Sequence, residues 1–249
     1  MSPSYRRAIR IVTEPGRSVA EIEDDFHHFV VTVEHDGNAV TGASGQAVRY
    51  PWSTCPLAGG ALGALAGLPL STDPIAIYRF SDPLQQCTHM FEMAGLAVTQ
   101  AARGLGARRY DAIVDDPEEG GLLAKLLCDG APLLTWRLQD GVIVEPAAFA
   151  GPRPDEFRTR NLGDLPHATA EAVLVLRRAV WLAASRPMDV DRFATAADMG
   201  RPGVCYTFQP HRAAGAQRRR GSVRDFSNGP GPLARVPELP ESPGPCPTS

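Results

Sequence analysis

The chain has 249 residues, 43% of them hydrophobic, and a formal net charge of −3. That suffices for one large domain or two small ones with a substantial core. Arginines are spread along the chain and Lys125 is the only lysine, so no basic face follows a phosphate backbone and nucleic acid is not an expected partner.

The five cysteines, Cys55, Cys87, Cys128, Cys205 and Cys246, are odd in number and widely spaced, and no basic start leads into an apolar signal segment. Reduced thiols in a cytoplasm are the expectation. No stretch approaches the roughly 18 consecutive apolar residues of a membrane span. The reading is a soluble protein with a small-molecule partner and no membrane partner.

In chain order, residues 5–11 open a strand, and residues 21–34 alternate well enough to form one or two more. His35-Asp36-Gly37-Asn38 is a hairpin turn, and residues 39–50 return as its partner. Cys55 then stands at an N-cap with Pro56 at the first helical position, and a helix over residues 57–68 ends at Gly67 and Pro69. Its Gly59, Gly60 and Gly63 lower helix propensity and permit close packing. Ser81-Asp82-Pro83 starts a stronger helix over residues 84–103, stopped by Gly104.

Residues 110–114, 122–128, 133–138 and 142–145 read as a second set of strands, with turns at Asp129-Gly130 and Asp140-Gly141. A helix over residues 168–185 follows Pro166. The fold expected is α+β, antiparallel β-meanders each followed by helices. The first half covers residues 1–104 and the second 105–227, with a disordered Pro/Gly-rich tail over 228–249. Residues 151–164 form a long loop able to cover a site.

Four segments can carry chemistry. A cysteine at a helix N-terminus meets free N–H groups that favour thiolate, which primes Cys55. In Cys87-Thr88-His89, the two ligand-type side chains would diverge by about 200° on a helix, so they share an ion only if the helix begins at or beyond Cys87. In Glu23-Asp24-Asp25-Phe26-His27-His28, an extended strand would put Asp25 and His27 on one face and Asp24, Phe26 and His28 on the other. Cys55, Cys87, Asp25 and His27 therefore make the expected metal set, suited to zinc or iron. His28 and His89 are candidate acid/base groups. Cys205, in the segment 203–212 with His211, is a candidate nucleophile. Arg49, Arg158 and Arg160 could hold a substrate carboxylate.

The order of these elements resembles a known scaffold. A meander, a loop cysteine opening a Gly/Ala-rich helix, the stop Gly67-Leu68-Pro69-Leu70, then Cys87-Thr88-His89-Met90 opening a long helix, is similar over residues 20–103 to the NifU/IscU-type iron–sulfur scaffold fold. In that family three cysteines and an aspartate surround a cluster or a zinc ion. The resemblance matches Cys55 to the middle cysteine and Cys87 to the last, with Asp25 standing in for the aspartate. The first cysteine has no counterpart. The whole chain, through Asp24-Asp25-Phe26-His27-His28-Phe29, Tyr50-Pro51-Trp52 and Cys205-Tyr206-Thr207, is also similar to a bacterial family catalogued only as a domain of unknown function.

The function expected is a metal-dependent lyase or hydrolase acting on a small organic molecule through a Cys/His/carboxylate centre. An iron–sulfur or metal carrier and a metal-free enzyme with Cys55 as nucleophile are the alternatives.

Overall fold

The computed structural model describes residues 3–104, 106–119, 121–157 and 162–235. Alternating apolar residues build two meanders: β1 (Ser4–Glu14), β2 (Arg17–Asp24), β3 (His28–His35) and β4 (Val40–Arg49), then β5 (Ala107–Asp115), β6 (Leu122–Cys128), β7 (Ala131–Gln139) and β8 (Val142–Glu145). They form one antiparallel sheet in the order β4-β3-β2-β1-β5-β6-β7-β8. The seam is β1 against β5, with Ser4 opposite Asp115 and Val12 opposite Ala107. The α+β class expected from sequence is therefore found, but the two meanders share a sheet and are not separate domains.

The expected Asp-Gly turns are present for the reason the sequence gives them away. Asp129 and Gly130 have φ of 49° and 81°, and Asp140 and Gly141 have 51° and 78°, the paired positive φ that matches a tight turn to strand twist. At the β3–β4 turn, Asp36 Oδ1 accepts from the backbone N–H of Asn38 and Ala39.

Among the described residues four α-helices accompany the sheet: α1 (Ala76–Phe80), α2 (Thr88–Arg103), α3 (His167–Ala183) and α4 (Pro210–Ala213). The second packs on β1, β2 and β3, and the third on β5, β6 and β1. They lie over the sheet face that carries Tyr5, Arg7, Ile9, Phe29, Val31 and Tyr110, all nearly inaccessible. Arginines link the two helices reciprocally. Arg178 of α3 reaches Glu92 of α2 at 3.4 Å, and Arg103 of α2 reaches Glu171 of α3 at 3.0 Å.

The helix expected over residues 57–68 is instead a 3₁₀ helix at Cys55–Leu65. Its backbone lies directly on β4, since a Cβ on Gly59 would sit 1.9 Å from the Gly45 carbonyl oxygen. Only glycine permits that approach. The helix expected from residue 84 begins at Thr88, because a separate 3₁₀ turn, Pro83–Gln85, precedes it and Cys87 becomes the N-cap.

The chain from Gly215 onward straps the molecule together. Arg218 N–H donates to the Ala194 carbonyl and Arg224 N–H to that of Asp25. Ser227 bonds both backbone groups of Ser4. The tail expected to be disordered from residue 228 is packed through Leu233, which is buried with its N–H donating to Glu23. Cys246 and the rest of that tail lie outside the described residues. No helix among the described residues is long and apolar enough to cross a membrane.

Candidate functional site

The site starts from a turn that the strand alternation conceals. Residues 21–34 are two strands broken at Asp25-Phe26-His27, and Asp24 makes the break. Its Oδ1 accepts from the N–H of Phe26 and of His27, both at 2.8 Å. The Asp24 N–H closes the turn on the His27 carbonyl. A short carboxylate satisfying backbone N–H groups two and three residues on is the Asx geometry that competes with a strand ladder. Asp24 and His27 therefore point the same way, and the face assignment expected for an extended strand is overturned.

Arg49 locks this turn from β4. Its guanidinium donates to the carbonyls of Asp24, Asp25 and His27. Arg49 is thus a positioning residue and not the free carboxylate ligand the sequence suggested. Arg158 and Arg160 lie outside the described residues.

Asp24, His27 and His89 converge. His27 Nδ1 lies 3.0 Å from Asp24 Oδ1, and the His27 and His89 rings stand 4.0 Å apart, centre to centre. One ligand atom from each of the three residues lies within 4.8 Å of the others. His89 arrives from the second residue of α2, two residues beyond the Cys87 N-cap. All three side chains are buried, and His89 Nε2 meets no hydrogen-bond partner among the described residues. A buried polar atom left so costs about 1–3 kcal/mol.

The surrounding charges set the protonation states. Burial, then the neighbouring His27 and Arg7, push the His89 pKa well below that of a free imidazole, so it is neutral. Burial opposes the charge on Asp24, but His27, Arg7 and His89 outweigh it and hold the carboxyl below the usual carboxylate range. Arg7 is itself inaccessible, with Nη1 at 3.9 Å from Asp24 Oδ2 and Nη2 at 2.8 Å from Glu92 Oε2. Glu92 thereby neutralises Arg7 and leaves the Asp24 charge available to His27 or to a cation.

Above this centre is a cavity of ≈ 120 Å³ that His27 and His89 both line. Phe26, Trp52, Leu182, Val204 and Phe208 make its apolar wall. In the tautomer that donates Nδ1–H to Asp24, an unprotonated His27 ring carries its lone pair on Nε2, the atom a general base or metal ligand uses.

The remaining expected site residues are placed differently. Asp25 is buried and ion-paired with Arg186, so it is engaged with the segment that follows α3 and not with His27. Burial outweighs that pairing and raises its pKa to about 7. His28 bonds Glu21 at 2.8 Å and has Glu23 at 3.8 Å. That pairing belongs to the open face of the sheet, away from the helices.

Cys55 and Cys205 line the cavity, whereas Cys87 does not. The three are free thiols, but none joins a group of three metal-type ligands among the described residues. Burial pushes the Cys55 thiol up to about 12, and also raises Cys87 and Cys205. The thiolate expected at the helix start is therefore not favoured, because Cys55 is buried behind Thr207, whose hydroxyl lies 3.7 Å from its sulfur. No imidazole lies within hydrogen-bond reach of Cys205 among the described residues, so the expected Cys/His pair is not assembled. Cys128 is buried and disulfide-bonded, a departure from the expectation of uniformly reduced thiols.

Of the three converging residues, His27 alone belongs to the metal set expected from sequence; His89 is expected there as an acid/base group, and Asp24 is not among the expected site residues. The signal was present, since an aspartate three residues before a histidine, ahead of a strand restart, is an Asx-turn pattern. No family model and no curated protein matches the chain.

Proposed function

We propose that the chain is an enzyme acting on a small organic molecule, with Asp24, His27 and His89 as the ligands of a zinc or iron ion at the closed end of the apolar cavity. The reaction class that fits is a lyase or hydrolase. The observation that carries the reading is the convergence of the three ligand atoms within 4.8 Å around an unpartnered, buried His89 Nε2. Donor atoms on one tetrahedral ion stand roughly 3.3 Å apart. The three ligand atoms lie within 4.8 Å of one another, and a movement on the order of 1–2 Å closes them on one ion. Two imidazoles and one carboxylate leave positions open for water and substrate. A bound ion there would polarise a carbonyl or activate water.

One observation favours a second reading without metal. The Asp24–His27 hydrogen bond already orients the imidazole as a general base, with Asp24 stabilising the imidazolium that forms. Equilibrium dialysis of wild type, His27→Gln and His89→Gln against zinc and ferrous iron separates the two. The metal reading expects one saturable equivalent for wild type, lost in both variants at unchanged thermal stability. Absence of saturable uptake by wild type overturns it and leaves the dyad.

A further inference from the structure

The cavity above the centre carries a second piece of information, the sign of its walls. No aspartate or glutamate lines it, while two arginines do, Arg201 and Arg218. The two guanidiniums are not equivalent. Arg218 is spoken for: Asp191 pairs with its Nε and Nη2 at 2.9 Å, and Nη1 donates to the Pro51 carbonyl at 2.8 Å. Arg201 has no ion pair or hydrogen bond among the described residues. It is half-buried, and its ring contact among the described residues is Trp181, whose centre lies 5.6 Å from the guanidinium carbon.

Trp181 also lines the cavity, and Arg178 lies 5.7 Å from the same ring. Arg178 spends its charge on Glu92. Stacking on an aromatic face fixes a guanidinium's plane while leaving its N–H edge free to grip an anion bidentately. An unpaired cation held at the edge of an apolar cavity is thus matched to a ligand with an apolar body and one negative group.

Size narrows the class further. The cavity measures ≈ 120 Å³, and a cavity of about 150 Å³ holds a benzene ring. A single ring or a short branched chain fills the apolar part.

Building on the enzyme reading above, we infer that the substrate is a small apolar carboxylic acid. Its ring or chain lies among Phe26, Trp52, Leu182 and Phe208, and its carboxylate is bound by Arg201. Arg201 is then the specificity-determining residue, and the Asp24–His27–His89 centre acts on the body of the molecule or on a second functional group.

The test is calorimetry with benzoate and its neutral isostere benzamide on wild type, Arg201→Met, Arg201→Lys and His27→Gln. Wild type is expected to prefer benzoate by about tenfold or more, the value of a charge-assisted bidentate contact. Arg201→Met brings the two probes to parity at unchanged thermal stability, and Arg201→Lys restores part of the preference. His27→Gln keeps the preference. Parity in wild type, no binding of either probe, or a preference surviving in Arg201→Met overturns the inference. A preference lost in His27→Gln but kept in Arg201→Met places the carboxylate on the metal centre, and it overturns the role of Arg201 while supporting the metal reading. A benzoate preference in a wild type that takes up no metal overturns only the metal reading.

Discussion

In the first half of the sheet Arg7 of β1 meets Glu92, the fifth residue of α2, and in the second half Tyr110 of β5 meets Glu171, the fifth residue of α3. Each glutamate then receives an arginine from the helix of the other half, Arg178 and Arg103 respectively. The halves part company at one turn. β6 returns to β7 through Asp129-Gly130, whereas β2 returns to β3 through Asp25-Phe26-His27, capped by Asp24. The tight turn ends a hairpin. The capped turn delivers an imidazole and a carboxylate to the mouth of α2, where His89 waits. The helix–sheet frame is thus shared by both halves, and the proposed centre belongs to a single turn and one helix start.

The largest effect should come from breaking the shared frame unequally. Glu92→Gln keeps an acceptor for Arg7, inaccessible at its side chain, but removes the nearer of its two carboxylates and leaves Asp24 Oδ2 at 3.9 Å, and breaking a buried ion pair costs about 3–5 kcal/mol. Glu171→Gln should cost about 1–3 kcal/mol, because Tyr110 keeps a hydrogen-bond acceptor and Arg103 is partly exposed. Denaturant unfolding of both variants measures the difference. An equal or reversed order would mean that the two glutamates do not differ as their surroundings suggest.

Asp25, in the turn that only the first half has, should give that half its own pH dependence. Its folded pKa, about 7, lies above the unfolded value of about 3.9. The stability it contributes is therefore fully present below about pH 4 and is lost as pH rises through about 7. Wild type minus Asp25→Asn should show stability falling with pH across that window, by up to about 1.4 kcal/mol per pH unit. A flat difference would place the carboxyl's charge outside that account.

The smallest effect concerns the thiols that the sequence made prominent. With Cys55 pushed up to about 12, only about one thiol in 10⁴ is ionised at pH 8. Iodoacetamide should modify Cys205, which is half-buried, before Cys55 or Cys87. Peptide mapping that finds Cys55 labelled first would restore it as a nucleophile.

How much of this was legible can be read from the same two turns. Asp129-Gly130 and Asp140-Gly141 announce their hairpins because the residues needing positive φ are themselves the signal. Asp25-Phe26-His27 hides because Phe26, His27, His28 and Phe29 continue a plausible alternation, and what breaks the strand is a side chain bonding its neighbours' N–H groups. His27 and His89 were recognisable as candidates, but their meeting depends on α2 beginning at Thr88 and on its packing against β3. The thiols misled for a related reason. A helix start favours thiolate only when water or a cation reaches it, and the sequence around Cys55 does not reveal that Thr207 and the strap close over it. Arg201 carries no local signal at all, since its meaning lies in Arg218 being paired and Arg201 not.

The most direct measurement is nitrogen-15 NMR of the His27 and His89 rings during addition of zinc. The account expects a ring nitrogen of each residue to shift together to metal-bound positions, saturating at one ion per chain, with His28 and His167 unmoved. Rings that stay at their metal-free positions while zinc is added, or a response from His28 in place of His89, would contradict it.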